Sequence, residues 1–312
     1  MPGTAWRRLN GNWGMQWKTA LLLAGILALQ EAEAFTVATY NVENYTLADR
    51  IVDGTYRKAY PKSEETKAAL RRVLRAIDAD VLILQEMGSL RFLEELRDDL
   101  AIEGLKYSFA HVVSAADGDR HLAVLARMEP ETLSDHTDLT FRYLERRESV
   151  KRGLLQLDFR AGLRRLSIYG VHLKSRLTDV PEDPESERRR VGEATAIRNR
   201  ILEVQTDPQR DLFLIAGDFN DHKASRAVRA FLQRGKLLIS EIVPAVDRNG
   251  DRWTYHFEKR DTYDRVDLLL ASPALKPHIP AGAARVWDGP DVASASDHRP
   301  VVISIDWPAM AK

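Results

Sequence analysis

Near its C-terminus the chain reads Ser296-Asp297-His298-Arg299-Pro300, and well upstream it reads Ala216-Gly217-Asp218-Phe219-Asn220-Asp221. Together these blocks supply acids, an amide and a histidine, each beside an apolar run where a strand should end. Further polar residues fall at similar places. Asn41, with Glu43 two residues on, ends an N-terminal β-rich run, and Glu86 follows Val-Leu-Ile-Leu-Gln. His172 ends the run 166–171, and Asp267 opens the run 268–270. Carboxylate and amide oxygens without sulfur ligands suit hard cations, namely Mg²⁺, Mn²⁺ or Ca²⁺. Such an ion offsets charge that builds on a phosphoryl oxygen. Two histidines can divide the proton work, one at the attacking water and one at the leaving oxygen. A histidine acting as base is usually oriented by a carboxylate at its other nitrogen, and Asp267 is the best candidate. By itself each residue is ordinary: a lone Asn is a turn former, a lone Glu a solvated cap. Their joint occurrence at the ends of apolar runs is what points to cleavage of a phosphate ester.

Loops at strand ends converge on one pocket while the sheet fixes their positions, so the strands carry the prediction. Residues 35–40, 81–85, 122–126, 154–159, 166–171, 212–216, 267–271 and 301–305 read as strands. Ser63 reads as an N-cap with Glu64 and Glu65 in the first turn. The helix it opens sets Leu70, Val73, Leu74 and Ile77 on one face. A second helix is expected from about Glu185 to Val204, burying Val191, Ala194, Ile197 and Ile201. Asn249-Gly250 is a turn signal and predicts a hairpin between Ile242-Val243 and the aromatic run 253–257. In that run Trp253, Tyr255 and Phe257 alternate, which reads foremost as one face packed on the core.

Apolar residues make up 44% of the 312, enough for a sizeable core. Lys plus Arg and Asp plus Glu are 46 each, so no global field draws in polyanions. The absence of cysteine excludes a disulfide scaffold and zinc–thiolate sites. At the N-terminus Arg7, Arg8 and Lys18 precede an apolar stretch, Ala20 to Leu29, and then Ala32-Glu33-Ala34. This is the pattern of a cleaved export signal, too short to span a bilayer. The expectation is a signal peptide over 1–34, one catalytic domain over 35–312 with no transmembrane segment in the mature chain, and a periplasmic or extracellular monomer.

Taken in order, the motifs resemble the endonuclease/exonuclease/phosphatase superfamily, which includes deoxyribonuclease-like and exonuclease III-like metal-dependent phosphodiesterases. Thr39-Tyr40-Asn41-Val42-Glu43-Asn44 is similar to its first motif and Ile83-Leu84-Gln85-Glu86 to its second. Gly170-Val171-His172-Leu173-Lys174-Ser175 resembles the histidine motif of the deoxyribonuclease-like branch, and Ala216-Gly217-Asp218-Phe219-Asn220 the Gly-Asp-x-Asn motif. Arg265-Val266-Asp267 resembles the segment that orients the histidine, and Ser296-Asp297-His298-Arg299-Pro300 the terminal motif.

The resemblance implies an α/β (α+β) fold, a four-layer αββα sandwich of two packed mixed β-sheets flanked by helices. It implies a metal, Mg²⁺ or Mn²⁺ with Ca²⁺ as an auxiliary, at Asn41, Glu43, Glu86 and Asp297. Asp218 and Asn220 would position the water and hold the phosphate, and His298 would be the base paired with Asp267. His172 would face the phosphate or protonate the leaving group. On the residues alone, Arg120 could clamp a substrate phosphate or be a surface arginine, and Lys174 with Arg176 could track a phosphate backbone or belong to a solvated loop. Glu at position 43 replaces the Asp of abasic-site endonucleases, and His172 replaces the amide of exonuclease III-like enzymes. Asp264, in Tyr263-Asp264-Arg265, is a rival to Asp267. The expected function is an exported phosphodiesterase and hydrolase, foremost a nuclease on DNA or RNA. A phosphatase or phospholipase-type esterase on sugar, inositol or lipid phosphates is the alternative, and a silent binding module the third reading.

Overall fold

The computed structural model describes residue 3 and residues 34–307, so the segment read as an export signal, 1–34, lies outside the described residues except at positions 3 and 34. Two six-stranded sheets form the frame. The first runs, edge to edge, Ala284–Val286, Val301–Asp306, Ala34–Tyr45, Val81–Met87, His121–Ala126 and Phe109–Val112. The second runs Glu241–Ile242, Asp267–Ala271, Leu212–Asp218, Arg164–His172, Leu154–Ala161 and Thr132–His136. Both are mixed. The central pairs of each, 34–45 with 81–87 and 164–172 with 212–218, are parallel, and the pairings outside them are antiparallel.

Alternation along the strands explains the layers. Val37, Val81, Ile83, Val124, Leu155, Leu157, Ile168, Leu214, Leu269 and Ile303 fill the space between the sheets. Ala38, Tyr40, Leu82, Leu84 and Leu125 point the other way, against Leu70, Val73, Leu74 and Ile77 of the Glu64–Ile77 helix and against the Leu90–Ile102 helix. On the far side, Tyr169, Val171, Phe213 and Ile215 meet the Glu187–Val204 and Arg226–Leu232 helices. This is the expected four-layer sandwich. Gly170 lets the layers close, since a Cβ there would lie 2.9 Å from Ile83 Cγ2 of the opposite sheet.

Each of the eight expected strands is present. Ser63 caps its helix as read, its hydroxyl accepting from Thr66 N at 3.2 Å; its removal is worth about 1 kcal/mol. The Glu187–Val204 helix buries Ala194, Ile197 and Ile201 but leaves Val191 only half-buried, because Arg190 and Glu193 take the inward positions. The Asn249-Gly250 turn forms, with Gly250 N bonded to Asp247 O at 3.1 Å, but the expected hairpin does not. Glu241–Ile242 pairs with Asp267–Ala271, and Tyr255–Phe257 pairs with Thr262–Asp264. A turn signal fixes local chain reversal, whereas partner choice goes to whichever strand edge is open.

Candidate active site

The polar strand ends converge at one edge of the sandwich, and strand register places them. His172 lies opposite Asp218, and Asp218 opposite Asp267, so three neighbouring strands of the second sheet present them side by side. Gly217 makes this possible: a Cβ there would stand 1.9 Å from the Val171 carbonyl oxygen. The first sheet contributes from across the layer. Asn41 Nδ2 donates to Asp218 Oδ2 at 3.1 Å, tying the two sheets together at the site.

Irregular backbone aims the acids of the first sheet. Between Asn41 and Tyr45 the register with the 81–87 strand slips, and a second slip falls between Leu84 and Met87. Glu43, Asn44 and Glu86 consequently adopt left-handed φ values of 49°, 51° and 61°. Such bulges re-aim side chains at some cost in strain. The bulge is held by cations. Arg120 Nε donates to Asn44 Oδ1 at 2.7 Å, Lys62 Nζ to Glu43 O at 3.0 Å, and Arg50 Nη2 to Asn44 O at 2.5 Å. The amide of Asn44 in turn donates to Glu86 Oε2 at 3.0 Å.

His298 is buried, and its Nδ1 lies 2.8 Å from Asp267 Oδ2. A carboxylate at that distance fixes the tautomer with the proton on Nδ1. Burial alone would lower the imidazole pKa, but the charge and hydrogen bond of Asp267, with Asp218 and Asp297, raise it to about 10. Asp264, the rival partner, is paired instead with Arg176 at 3.0 Å. Ser296 Oγ donates to Asn41 O at 2.8 Å and accepts from His298 N at 3.1 Å, locking the terminal motif against the first.

His172 has the opposite surroundings. Its Nε2 is 3.6 Å from Asp218 Oδ2, and its Nδ1 has no hydrogen-bond partner. Burial, then the charges of Arg152, His298, Arg120 and Lys174, hold its pKa well below the usual value. Asp218 is itself raised, by burial and then by Asp267, against the pull of His298 and hydrogen bonds from Asn220 N and Asn41. Asn220 donates through Nδ2 to Asp218 Oδ2 and Leu173 O, both at 3.0 Å.

Donor atoms of Asp218, Asp267 and His298 lie within 4.8 Å of one another, close enough to share a cation. His298 Nδ1 is already committed to Asp267, so the acids beside this trio fit an ion better. Glu43 and Glu86 both act on Asp297, which stands at the solvent-open mouth. Reduced hydration there, together with Glu43 and Glu86 and against His298 and Lys62, pushes the Asp297 carboxyl up to about 6. Crowded oxygen donors with too little positive charge match a hard divalent ion.

The structure thus gathers Asn41, Glu43, Glu86, His172, Asp218, Asn220, Asp267, Asp297 and His298 in one place. The Lys174 ammonium is engaged by its own loop: it donates to Ser175 O and Oγ at 3.1 and 3.0 Å and to Leu177 O. Arg120 is spent partly on Asn44. Sequence reading missed Lys62, Asn44 and Arg152. Arg152 is buried with Nε 3.0 Å from Asp117 Oδ2, and its Nη1 has no partner. Nothing in the spacing of a lone Lys-Arg-Gly marks it. The aromatic run 253–257 is half-buried rather than core, and Tyr255 packs on His298 with ring centroids 4.7 Å apart.

The profile described as the Endonuclease/Exonuclease/phosphatase family matches residues 38–298. No curated protein matches in sequence. Among solved structures, the catalytic domain of human Nocturnin with bound sulfate superposes with TM-score 0.59 at 17% identity, covering 87% of this chain and 93% of that one. An endonuclease/exonuclease/phosphatase from Bacteroides vulgatus gives 0.60 at 17%, covering 87% and 98%. Sphingomyelinase C from Streptomyces griseocarneus gives 0.58 at 16%, covering 87% and 99%. At these identities the likeness is one of fold.

Proposed function

This chain belongs to the endonuclease/exonuclease/phosphatase family, and from that premise we propose that it is a divalent-metal-dependent phosphodiesterase with nucleic acid as its preferred substrate class. The observation that carries the hydrolytic reading is the His298–Asp267 pair at 2.8 Å beside the carboxylates of Asp218, Asp297, Glu43 and Glu86. Asp267 occupies Nδ1 and leaves Nε2 of His298 for the water; with a bound cation offsetting the carboxylates that raise its pKa, the imidazole would be neutral and Nε2 would accept the water proton. The water oxygen bonds to phosphorus as the ester P–O bond breaks, and the water proton passes to Nε2. Asp218, held by Asn41 and Asn220, orients that water. His172, kept neutral, offers a hydrogen bond to the phosphate; the leaving oxygen departs with the electron pair of the broken P–O bond and takes its proton from solvent water. Glu86, Asp297, Glu43 and Asn41 would hold Mg²⁺ or Mn²⁺. When bound, the ion supplies positive charge that offsets both the phosphoryl oxygen and the acidic field lifting the His298 pKa.

The nucleic-acid preference rests on the Val171-His172-Leu173-Lys174-Ser175 block, which resembles extracellular nucleases. The test is plasmid, single-stranded DNA and RNA with Mg²⁺ or Mn²⁺, with and without EDTA. Turnover of a lipid or sugar phosphate with no cleavage of nucleic acid rejects the preference. One observation favours that second reading. The cleft beside His298, about 860 Å³, carries Glu43, Asp247, Asp251, Glu258, Asp288 and Asp297, while its Arg299 and Arg248 are already paired with Asp247 and Asp288. Such a wall repels a polyanion and tolerates a small or zwitterionic ester. Export is proposed on residues 1–34 alone, and N-terminal sequencing of the protein recovered from the periplasm or medium tests it.

A further inference from the structure

We propose that Tyr255 is a catalytic residue whose hydroxyl donates a hydrogen bond to a nonbridging oxygen of the scissile phosphate. The proposal rests on the hydrolytic reading of the site above. The Tyr255–Phe257 strand is pinned to the terminal motif along its length. Tyr255 forms an antiparallel bridge with His298, His256 N donates to Asp297 O at 3.0 Å, and Arg299 N donates to Thr254 O at 2.6 Å. The Tyr255 ring therefore cannot drift from the imidazole, which it meets at 4.7 Å with the planes tilted by 36°.

The neighbouring aromatic groups are already engaged. Trp253 lies under Arg299 at 4.1 Å and against Tyr263 at 4.9 Å, and His256 stacks on Tyr263 at 4.3 Å. Elsewhere the phenols of Tyr45, Tyr107 and Tyr143 donate to Glu95, to the Ala79 carbonyl and to Asp183, and that of Tyr40 is fully buried without a partner, closed to any ligand. The Tyr255 hydroxyl has no hydrogen bond among the described residues, although the residue is half-buried against the active-site His298. Burial, then Asp297, Asp218 and Glu86, push its pKa to about 12, against Arg176. Those carboxylates come from three separate chain segments, and the charge of each acts on the hydroxyl.

A phosphate arriving there meets several carboxylates, and its oxygens need donors. A phenol is a donor without charge, and at neutral pH this one does not ionise. It can stabilise charge on phosphate oxygens without taking part in proton transfer. A preorganised donor of this kind contributes about 10²–10³-fold to turnover.

Tyr255→Phe tests this, because it keeps the ring against His298 and removes the hydroxyl alone. The readouts are kcat and KM on bis(p-nitrophenyl) phosphate with Mn²⁺, the thermal midpoint, and the affinity for inorganic phosphate by calorimetry. The expected result is a kcat lower by about 10²-fold, with an unchanged midpoint, an unchanged shape of the pH profile and weaker phosphate binding. A variant with wild-type kcat and wild-type phosphate affinity overturns the proposal, as does one whose losses follow a fall in the midpoint that Tyr255→Trp restores together with activity. A wild-type protein inert on every phosphate ester rejects the hydrolytic reading instead, and this proposal with it.

Discussion

The site holds two buried histidines on opposite footings. His298 is surrounded by Asp267, Asp218 and Asp297, and its pKa is raised to about 10. His172 is surrounded by Arg152, Arg120 and Lys174 and its pKa is held well down. Both are almost inaccessible, so desolvation acts on each in the same direction. What separates them is the sign of the neighbouring charge. A histidine with carboxylates dominant around it can store a proton, and one that is buried with cations dominant around it stays neutral and serves as a hydrogen-bonding group. Motif spacing shows two histidines and cannot show this asymmetry, because the deciding charges come from distant segments.

The largest effect expected is from the proton-carrying half. His298→Ala should lower turnover by roughly 10²–10⁴-fold, and Asp267→Asn should approach it, measured as initial rates at saturating metal. If the comparison holds, His172→Asn, which keeps a neutral hydrogen-bonding group, should lose only about tenfold, the scale of about 1.4 kcal/mol. Equal losses at the two histidines would break the distinction. Next in size is the scaffold of Glu86. Arg120→Met removes the donor to the Asn44 side chain that holds the bulge between Asn41 and Tyr45, so Mn²⁺ affinity by calorimetry should fall by about 10–100-fold.

A separate effect is in stability against pH. The folded-state pKa of His298 is above its unfolded value, so its pairing stabilises the metal-free protein fully below the ordinary histidine range near pH 6.5 and loses that contribution as pH rises through about 10. Denaturant titrations with EDTA should show wild type and His298→Gln converging over that window. A constant gap between them would mean that Asp267 is not the source of the shift. Mg²⁺ should raise the thermal midpoint more at pH 7.5 than at pH 5, because Asp297, with a pKa of about 6, must give up its proton to take part.

Much of this was legible in the residues. Eight strands follow from apolar runs bounded by polar ends, and the Ser63 cap follows from its own chemistry, because both are local properties of the chain. Strands 48–52 and 55–60 were not legible, since every residue of the second is exposed and no alternation marks it. The Leu90–Ile102 helix was also missed, although Leu93, Leu96 and Leu100 carry helical spacing. The hairpin expected at Asn249-Gly250 failed for another reason: the open edge of the Asp267–Ala271 strand captured Glu241–Ile242.

The sequence by itself determined which residues end the strands and what kind of ion and proton chemistry their side chains suit, because residue type and strand period are carried in the chain. It left open whether Asp264 or Asp267 serves His298, where Lys174 points, and which histidine holds a proton. Tertiary structure decided these. Register set Asp267 beside Asp218, the loop after His172 claimed the Lys174 ammonium, and burial together with charges from remote segments moved the two imidazole pKa values in opposite directions. Electrostatic energy depends on distance in space and on burial, and neither is written in the order of the residues.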